Sequence, residues 1–471
     1  MSTLIKPAIP ESDASAESLR KPLSTVTMLF YGAGQTGGQI FRDAPAALLP
    51  VFMATMLGVS PWLAGIVVLI PKLWLIICDP LMGIISDRMK PLHSRRPFMV
   101  IGGISTSVLF IGLFAFSGFA SQWWAALCVG VIFFAASTAF SAFSVPYLAV
   151  ASELSADPHE RTKLLAFRMI FMVLGVILGF GLAQPLVFAL GGDAAAWLKM
   201  ALLFGLIGMI SMLITAYGVP RDFGANNSAN QSLSLLAQFR HARENKPFAI
   251  LTAAYFIQSI AQASGYAVVG FVFIYAVGDI NLLLPFILVM ASGSISSQPL
   301  WLKLSRRIGK VASFWGACLL WMAVTITWLW VGNGQDVLLS LPFLGELSTD
   351  HSMVLLRAFI IGITNSGFSL LSFSLLTDTI NRQKQQRGYA DEGLFSGIFS
   401  AVEKLAFALG PLLAGVVMSY TGFEASVGGA VEQTDGAIQG MVMSYSVVPT
   451  VMMFFSLLVF TQYKKSLQAN T

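Results

Sequence analysis

The sequence carries little charge for its length. Of its 471 residues only 11% are charged, 56% are hydrophobic, and the mean hydropathy is +0.75. In a soluble globular protein about a quarter of the residues are charged, because its surface must be hydrated. The composition therefore excludes a water-soluble enzyme or binding protein, and it indicates a chain that lies largely in lipid.

Cysteine and histidine are also scarce. The three cysteines, Cys78, Cys128 and Cys318, fall inside long apolar segments, and no pair has the spacing of a disulfide framework or a metal site. The four histidines lie in loops or at a segment end, away from any candidate nucleophile. No phosphate-binding loop is present. We therefore predict no enzymatic activity, no cofactor, no metal and no ATP-driven pumping.

Long apolar segments are abundant. Most of the twelve that can be marked reach the length needed to cross about 30 Å of hydrocarbon. We predict an all-α membrane protein with a flexible cytoplasmic tail, two six-helix bundles joined by a cytoplasmic linker, and a second short cytoplasmic tail. The predicted boundaries are, in that order, 1–26, 27–220, 221–247, 248–463 and 464–471. The segments are 27–56, 61–86, 98–118, 123–151, 166–190, 197–219, 248–277, 281–302, 312–332, 353–376, 394–420 and 439–462.

One motif is repeated between the two groups of segments. The stretch 79–98 reads DPLMGIISDRMKPLHSRRPF, and a weaker copy at 298–310 reads QPLWLKLSRRIGK. In both copies an apolar segment ends in a short basic turn. Repeats on this scale are typical of transporters built from two homologous halves. The shared pairs are Pro80/Pro299, Leu81/Leu300, Ser86/Ser305 and Arg88/Arg307.

The basic residues are distributed unevenly over the loops. All but five of the 28 lysines and arginines fall in the tails and in alternate loops, while the intervening loops hold only acidic charge. Because cytoplasmic loops are enriched in basic residues, this asymmetry predicts that both termini are cytoplasmic. The net charge of +5 then reflects membrane topology and gives no reason to expect a nucleic-acid partner.

Together, several motifs resemble one known family, over about 27–462. They are YGAGQTG (31–37), DPLMGIISDR (79–88), RRPF (95–98), VPYLAVASELSADPHERT (145–162) and Glu392-Gly393 followed by Lys404. The chain resembles the major facilitator superfamily and, within it, the glycoside–pentoside–hexuronide cation symporters. The resemblance implies twelve transmembrane helices in two pseudo-symmetric six-helix halves. It also implies a monomeric secondary transporter of a sugar or glycoside in the bacterial inner membrane.

Five basic residues fall inside or at the ends of the spans. Lys199 and Arg357 are near span ends, where long side chains reach water. Arg42, Lys72 and Lys404 lie near mid-span, where each uncompensated charge costs about 2.5–3.5 kcal/mol. Asp43, Asp79 and Glu403 lie at similar depth, so these charges either form static ion pairs or serve transport.

Spacing limits how these charges meet. Lys72 and Asp79 lie on nearly one helix face but ~10 Å apart along the axis, too far for a direct ion pair. A substrate, a proton or a third side chain would have to lie between them. Arg42 and Asp43 are adjacent, so we expect them to point in different directions, one toward the cavity.

The resemblance also indicates which ion could drive transport. In the family, the coupling sodium is bound by the counterpart of Asp79, a helix 4 hydroxyl at Ser141, and two further groups replaced here by Leu75 and Cys78. Because sodium needs hard oxygen ligands, sodium coupling is not expected. A lone buried carboxylate at Asp79 would instead carry a proton. Lys72 nearby would oppose this, which leaves passive or substrate-driven transport as the alternative.

The family's sugar contacts map only partly onto this chain. Its two aspartates and one tryptophan fall on Gln39, Ser144 and Leu148, whereas its basic contacts are kept as Arg168 and Lys404. Loss of acidic groups beside retained cations, with Arg42 as another cavity residue of helix 1, favours a substrate bearing a carboxylate, sulfonate or phosphate. Asp43 and Glu403 could cancel two of these positive charges.

The remaining motif residues are expected to gate the cytoplasmic side. We predict a charge cluster formed by Asp87, Arg88 and Arg96 with Glu153 and Arg161. Two alternatives stay open. Apolar walls at Leu75 and Leu148 with a cation at Lys404 would suit an amphipathic, lysolipid-like substrate, and the same fold could serve a non-transporting membrane receptor.

Overall fold

The computed structural model describes residues 23–154, 158–220, 245–332, 336–341, 345–387 and 392–469. The predicted N-terminal tail and the linker lie almost entirely outside this part of the chain. The helices are α1 Thr25–Met56, α2 Pro61–His93, α3 Arg96–Leu113, α4 Gln122–Leu154, α5 Pro158–Val176, α6 Ala183–Ala189, α7 Ala194–Gly218, α8 Lys246–Phe271, α9 Leu283–Ser296, α10 Gln298–Ile308, α11 Lys310–Ile326, α12 Thr349–Arg387, α13 Glu392–Tyr420, α14 Asp435–Tyr445 and α15 Val447–Ala469.

Short irregular segments join some of these helices into longer spans. The π-helical segment Ile177–Leu182 connects α5 to α6, and a second one, Val272–Ala276, extends α8. Helices α9 and α10 meet at a bend of 43°. A small antiparallel hairpin, β1 Val337–Leu341 and β2 Gly345–Ser348, precedes α12 and departs from the otherwise all-α architecture.

Several helix starts follow from local capping. Side-chain oxygens of Ser24, Asp193, Asn245 and Thr434 accept hydrogen bonds from the backbone N–H of the third residue of α1, α7, α8 and α14. Such caps satisfy donors that a helix leaves unpaired at its start. The final helix continues to Ala469, so most of the predicted tail at 464–471 is helical.

The spans agree with an all-α membrane protein. In the described part of the chain, ten helices are long and apolar enough to cross a membrane, or eleven if the bent pair α9–α10 is one span. Helix α1 is long enough at 32 residues but is not among them. Its apolar run is interrupted by Gln35, Gln39, Arg42 and Asp43. The all-α class is confirmed, and the count of twelve stays a prediction.

The two groups of helices share one apolar core at one end of the molecule and not at the other. We call these ends the loop end, which carries residues 57–60 and 421–434, and the terminal end, which carries Leu23 and Ala469. At the loop end a continuous core joins Phe52 and Trp197 of the first group to Phe271 of the second. At the terminal end each group has a core of its own. The cleft between the groups therefore widens toward the terminal end.

Backbone hydrogen bonds fasten the loop end. The segment 421–434, which we call the clamp, lies over the end of α1. Ser426 N–H donates to the Ala54 carbonyl at 2.8 Å, and Gly58 N–H donates to the Ser426 carbonyl at 2.8 Å. Gly428 N–H donates to the Met56 carbonyl at 3.2 Å. The clamp belongs to the second group and α1 to the first, so these bonds hold the groups together at this end.

Helices α2 and α13 make the closest contact between the groups. A Cβ on Gly65 would lie 2.6 Å from the Leu412 Cα, and a Cβ on Gly415 would collide with the Pro61 carbonyl oxygen. Real side chains do not reach such distances, so both positions need glycine for the backbones to touch. Asp79 on α2 and Lys404 on α13 lie on the side of this crossing that faces the terminal end.

Candidate functional site

An ion pair connects the two groups of helices within the cleft. Lys404 Nζ on α13 lies 2.9 Å from Asp79 Oδ2 on α2. The Asp79 side chain is 20% exposed and the Lys404 side chain 51%, so the pair borders the open part of the cleft. Ser141 Oγ on α4 donates to the other carboxylate oxygen, Asp79 Oδ1, at 2.6 Å. The expectation of a lone Asp79 carboxylate is therefore wrong, because both of its oxygens have partners.

A ladder of side-chain hydrogen bonds runs along one face of α1. Gln35, Gln39 and Asp43 are spaced by four residues, which places them on the same face. Gln35 Nε2 donates to Gln39 Oε1 at 2.9 Å, and Gln39 Nε2 donates to Asp43 Oδ2 at 2.5 Å. Sequence reasoning missed Gln35, and its spacing of four from Gln39 is the signal that could have found it.

Arg168 continues this ladder from α5. Its Nε donates to Gln35 Oε1 at 2.9 Å, and its guanidinium lies 5.8 Å from the centre of the Tyr147 ring. Tyr147 in turn stacks on Tyr31 with ring centres 4.7 Å apart and donates its hydroxyl to the Tyr31 carbonyl. Each of these partners is neutral. The positive charge of Arg168 is thus held in place by neutral groups of this part of the chain.

Arg42 and Asp43 meet differently from the sequence expectation, and Lys72 has a partner on α1. Arg42 Nε lies 3.8 Å from Asp43 Oδ1, so the adjacent side chains do approach each other in a long ion pair. Lys72 Nζ donates to the backbone carbonyl of Arg42 at 3.2 Å. This bond turns Lys72 toward α1, and it is Lys404 that contacts Asp79. A direct Lys72–Asp79 relationship is thus not formed in this conformation.

Glu403 and Ser144 complete the set of predicted cleft residues. Tyr255 on α8 donates its hydroxyl to Glu403 Oε1 at 3.0 Å, within the second group. Ser144 is half-buried on α4, three residues after Ser141. The residues that the structure brings together are therefore Asp79, Lys404 and Ser141 in one cluster, and Gln39, Asp43, Arg42, Lys72 and Arg168 along α1.

The comparison with protein-family models now identifies the chain. The model described as MFS/sugar transport protein matches residues 30–465. The chain belongs to this family. The predicted resemblance to the major facilitator superfamily and its glycoside–cation symporters is thereby confirmed. The same match confirms a membrane transporter and not an enzyme.

Relatives of this MFS protein cover nearly its whole length. A candidate 2,3-dihydroxypropane-1-sulfonate exporter of Escherichia coli (strain K12) is 25% identical, covering 90% of this chain and 89% of the relative. A candidate sulfoquinovose importer of the same organism is 22% identical, covering 87% and 84%. The chain is thus similar to proteins named for both directions of transport.

Solved structures share the MFS fold. A bacterial homologue of the human lysosomal transporter Spinster, in an inward-facing and unoccupied conformation, gives a TM-score of 0.63 at 12% identity, covering 94% of this chain and 97% of that one. A mutant of the nucleoside transporter NupG gives 0.65 at 14% identity, covering 93% and 100%. At this identity the likeness establishes the fold alone.

One residue of the predicted gate of this MFS protein, Asp87, pairs with an arginine that the prediction did not include. Asp87 Oδ1 accepts a hydrogen bond from Arg95 Nη2 at 2.5 Å, and Arg95 Nη1 donates to Ser86 Oγ at 2.9 Å. Arg96 instead donates to the Tyr217 and Val219 carbonyls at the end of α7. Arg95 was not among the residues of the predicted cluster, so the structure adds it to them.

The turn between α2 and α3 explains why Arg95 faces Asp87 and Arg96 faces α7. Ser94 adopts a left-handed φ of 59°, which reverses the chain direction so that Arg95 faces back toward α2. Arg96 then begins α3 and faces α7. Arg88 is exposed, and the side chains of Glu153 and Arg161 lie outside the described residues. Their part in a charge cluster stays a prediction.

The second half carries its own ion pair at the terminal end. Lys310 Nζ, at the start of α11, lies 2.7 Å from Asp378 Oδ1 and 2.6 Å from Asp378 Oδ2 on α12. Each half thus has one basic residue near the repeated motif that pairs with a carboxylate of the same half, Arg95 with Asp87 and Lys310 with Asp378. Neither pair crosses the cleft.

Proposed function

We propose that this protein transports a small hydroxylated anion, such as a sulfonated or carboxylated sugar or polyol, by alternating access of two helical halves. The observation that supports the proposal is the setting of two cations, Lys404 in the cleft and Arg168 on α5. Arg168 is held by neutral groups, and Lys404 has a carboxylate partner that a proton can neutralise. The names of the two relatives, which include a dihydroxypropane sulfonate and sulfoquinovose, support this substrate class.

Proton coupling follows from the ion pair. Protonation of Asp79 removes the charge that holds Lys404, so Lys404 becomes free to bind the anionic group of the substrate. Ser141 can hydrogen-bond to Asp79 in both of its protonation states, because the Ser141 hydroxyl donates to the carboxylate and would accept from the protonated acid. One proton and one monovalent anion would then enter the cleft together. Sodium is not part of this scheme, since Leu75 and Cys78 offer no hard oxygen ligand.

Arg168 and the α1 ladder would bind the rest of the substrate. A guanidinium presents several fixed donors and suits planar or tetrahedral oxyanions. Gln39, Ser144 and Arg42 add polar groups that can hydrogen-bond to hydroxyls. Where the family's acidic sugar contacts would repel an anion, Gln39 and Ser144 are neutral, which favours an anionic ligand.

The orientation of the cleft follows from the basic loops. We propose that the terminal end faces the cytoplasm of a bacterial inner membrane, with both termini and the linker on that side and the protein working as a monomer. The conformation described above is then open to the cytoplasm. Asp87, Arg88 and Arg96, with Glu153 and Arg161, would control closure of this side.

The proposal is tested by transport into proteoliposomes under an inward pH gradient. Sulfoquinovose, 2,3-dihydroxypropane-1-sulfonate and glucuronate are compared with neutral glucose and melibiose. We expect saturable uptake of at least one anion and none of the neutral sugars. Lys404→Ala should abolish this uptake, while Lys310→Ala, which breaks an ion pair outside the cleft, should retain most of it.

Two results would contradict the proposal. Uptake of neutral sugars at rates equal to those of the anions would remove the role assigned to the cations. Uptake of a lysophospholipid in place of any sugar would favour the amphipath alternative, for which the exposed Leu148 on α4 provides an apolar wall. Ligand binding with no transport of any tested solute would favour a receptor.

A further inference from the structure

A cavity of about 50 Å³ lies within the second group of helices. It is lined by α8, α9, α11, α12, α14 and α15, and the first group contributes Phe180 from the π-helical segment. At about 10–15 Å³ per water molecule, it has room for a few waters or for a short hydroxylated carbon chain.

Three polar groups that line this cavity have no hydrogen-bond partner among the described residues. They are Gln262 Nε2, Thr325 Oγ1 and Asn365 Oδ1. Thr325 is only 3% exposed, so its hydroxyl cannot be hydrated from outside. Leaving such groups unpaired costs about 1–3 kcal/mol each, because each has lost its water without replacement. All three residues line the cavity, and a donor, an acceptor and a hydroxyl match a ligand that carries hydroxyl groups.

The rest of the wall suits the same kind of ligand. Tyr266, Phe286, Trp321 and Tyr445 place aromatic rings around these polar groups, and none of the Lys, Arg, Asp and Glu residues that the structure describes lines the cavity. Aromatic faces pack against the C–H groups of a polyol while neutral amides and hydroxyls bind its oxygens. A charged ligand would lack a counter-charge here, so the site would bind an uncharged, hydroxylated group.

The cavity adjoins the proposed substrate cleft. Tyr266 packs against Phe180 of the first group at 5.7 Å and against Phe407 of α13 at 6.1 Å between ring centres. Phe407 follows Lys404 by three residues, so the two share one face of α13. Tyr266 thus lines the cavity and also contacts the stretch of α13 that carries Lys404.

We propose that this cavity is a subsite for the hydroxyl groups of the transported solute, while the anionic group is bound at Lys404. The inference rests on the proposed function and adds a specificity determinant to it. Thr325, Asn365 and Gln262 would distinguish a hydroxylated anion from an otherwise similar one that lacks hydroxyls.

The test compares two probes on the purified full chain by calorimetry. The probes are 2,3-dihydroxypropane-1-sulfonate and propane-1-sulfonate, which differ only in the two hydroxyls. Thr325→Val keeps the side-chain shape and removes the hydroxyl. We expect it to weaken binding of the dihydroxy probe about five- to tenfold and to leave propane-1-sulfonate unchanged. Gln262→Met provides a second variant if Thr325→Val does not fold.

A matched control is available on α8. Thr252 Oγ1 is also buried without a partner, its residue is 8% exposed, and it does not line the cavity. Thr252→Val should leave both affinities unchanged. Equal weakening of both probes by Thr325→Val, or no change in either, would overturn the subsite while leaving the proposed function intact.

If the wild type binds neither sulfonate, the proposed function fails. A second measurement then tests by itself whether the cavity binds a hydroxylated ligand. A structure determined in glycerol should show a glycerol molecule in contact with Thr325 and Asn365. A cavity that is empty or holds only water under these conditions would overturn the inference.

Discussion

Lys404 Nζ on α13 and Asp79 Oδ2 on α2 are 2.9 Å apart, although 325 residues of sequence separate them. The contact exists because α2 and α13 touch at Gly65 and Gly415 and then run side by side toward the terminal end. One partner belongs to each half. Any movement that parts the halves along this line must therefore break or lengthen this ion pair.

Asp79→Asn should uncouple transport from the proton gradient. The amide imitates the protonated acid, so Lys404 loses its ionic partner permanently and stays available to the substrate. We expect anion binding and counterflow to persist, while uphill accumulation driven by a pH gradient is lost. The measurement is counterflow and pH-driven uptake in the same proteoliposomes. If the variant still accumulates substrate uphill, Asp79 is a structural partner of Lys404, and the coupling group must be sought at Asp43 or Glu403.

Asp87→Ala should impair transport with little loss of stability. Asp87 is 65% exposed and pairs with Arg95, whose side chain is 9% exposed and keeps its bond to Ser86. Ion pairs of such exposed carboxylates contribute about 0–1 kcal/mol, so the melting temperature should change by a few degrees at most. In the proposed cycle this turn closes against the other half, so transport should fall several-fold. As a control, removal of the exposed clamp carboxylate by Glu432→Ala should change neither transport nor melting temperature. Normal transport by Asp87→Ala would mean that the turn serves only to set the membrane topology.

Sodium should neither stimulate uptake nor stabilise the protein. Asp79 contacts the hydroxyl of Ser141 and the ammonium of Lys404, and an ammonium repels a cation. Leu75 and Cys78, at the positions of the family's other sodium ligands, offer no hard oxygen. We expect equal melting temperatures when choline chloride replaces sodium chloride at constant ionic strength. A saturable, sodium-specific increase would mean that a cation site lies elsewhere in the protein.

Cysteine labelling should report the proposed orientation. With the native cysteines replaced, Glu432→Cys at the loop end and Lys465→Cys at the terminal end introduce single exposed thiols. A membrane-impermeant maleimide added to intact cells should modify the first and not the second, because the basic terminal end is expected in the cytoplasm. The opposite pattern would reverse the assigned direction of the cleft.

Gly415→Ala should strain the contact between the halves. A methyl group there collides with the Pro61 carbonyl oxygen, so α2 and α13 must move apart. Such overpacking typically costs about 1–3 kcal/mol, which should lower the melting temperature measurably. Gly397→Ala on the same helix is the matched control, because nothing lies within 4 Å of its added methyl group. Equal effects of the two substitutions would argue that only helix propensity has changed.

The sequence predicted the architecture better than the pairing of side chains. Apolar length and the repeated motif determine that helices span the membrane in two groups, since both signals are local. The Asp79–Lys404 contact depends on how two distant helices cross, which no spacing along the chain encodes. The Asp87–Arg95 contact depends on one left-handed residue, Ser94, and this conformation is uncommon for serine.

The shared core at the loop end has a consequence for the energetics of the transport cycle. Opening that end would bring side chains such as Phe52, Trp197 and Phe271 from dry packing into contact with water. Hydration of apolar surface raises the heat capacity, so the activation enthalpy of this step should change with temperature. If opening of the loop end limits turnover, the Arrhenius plot of transport should be curved in proportion to the apolar surface that becomes wet.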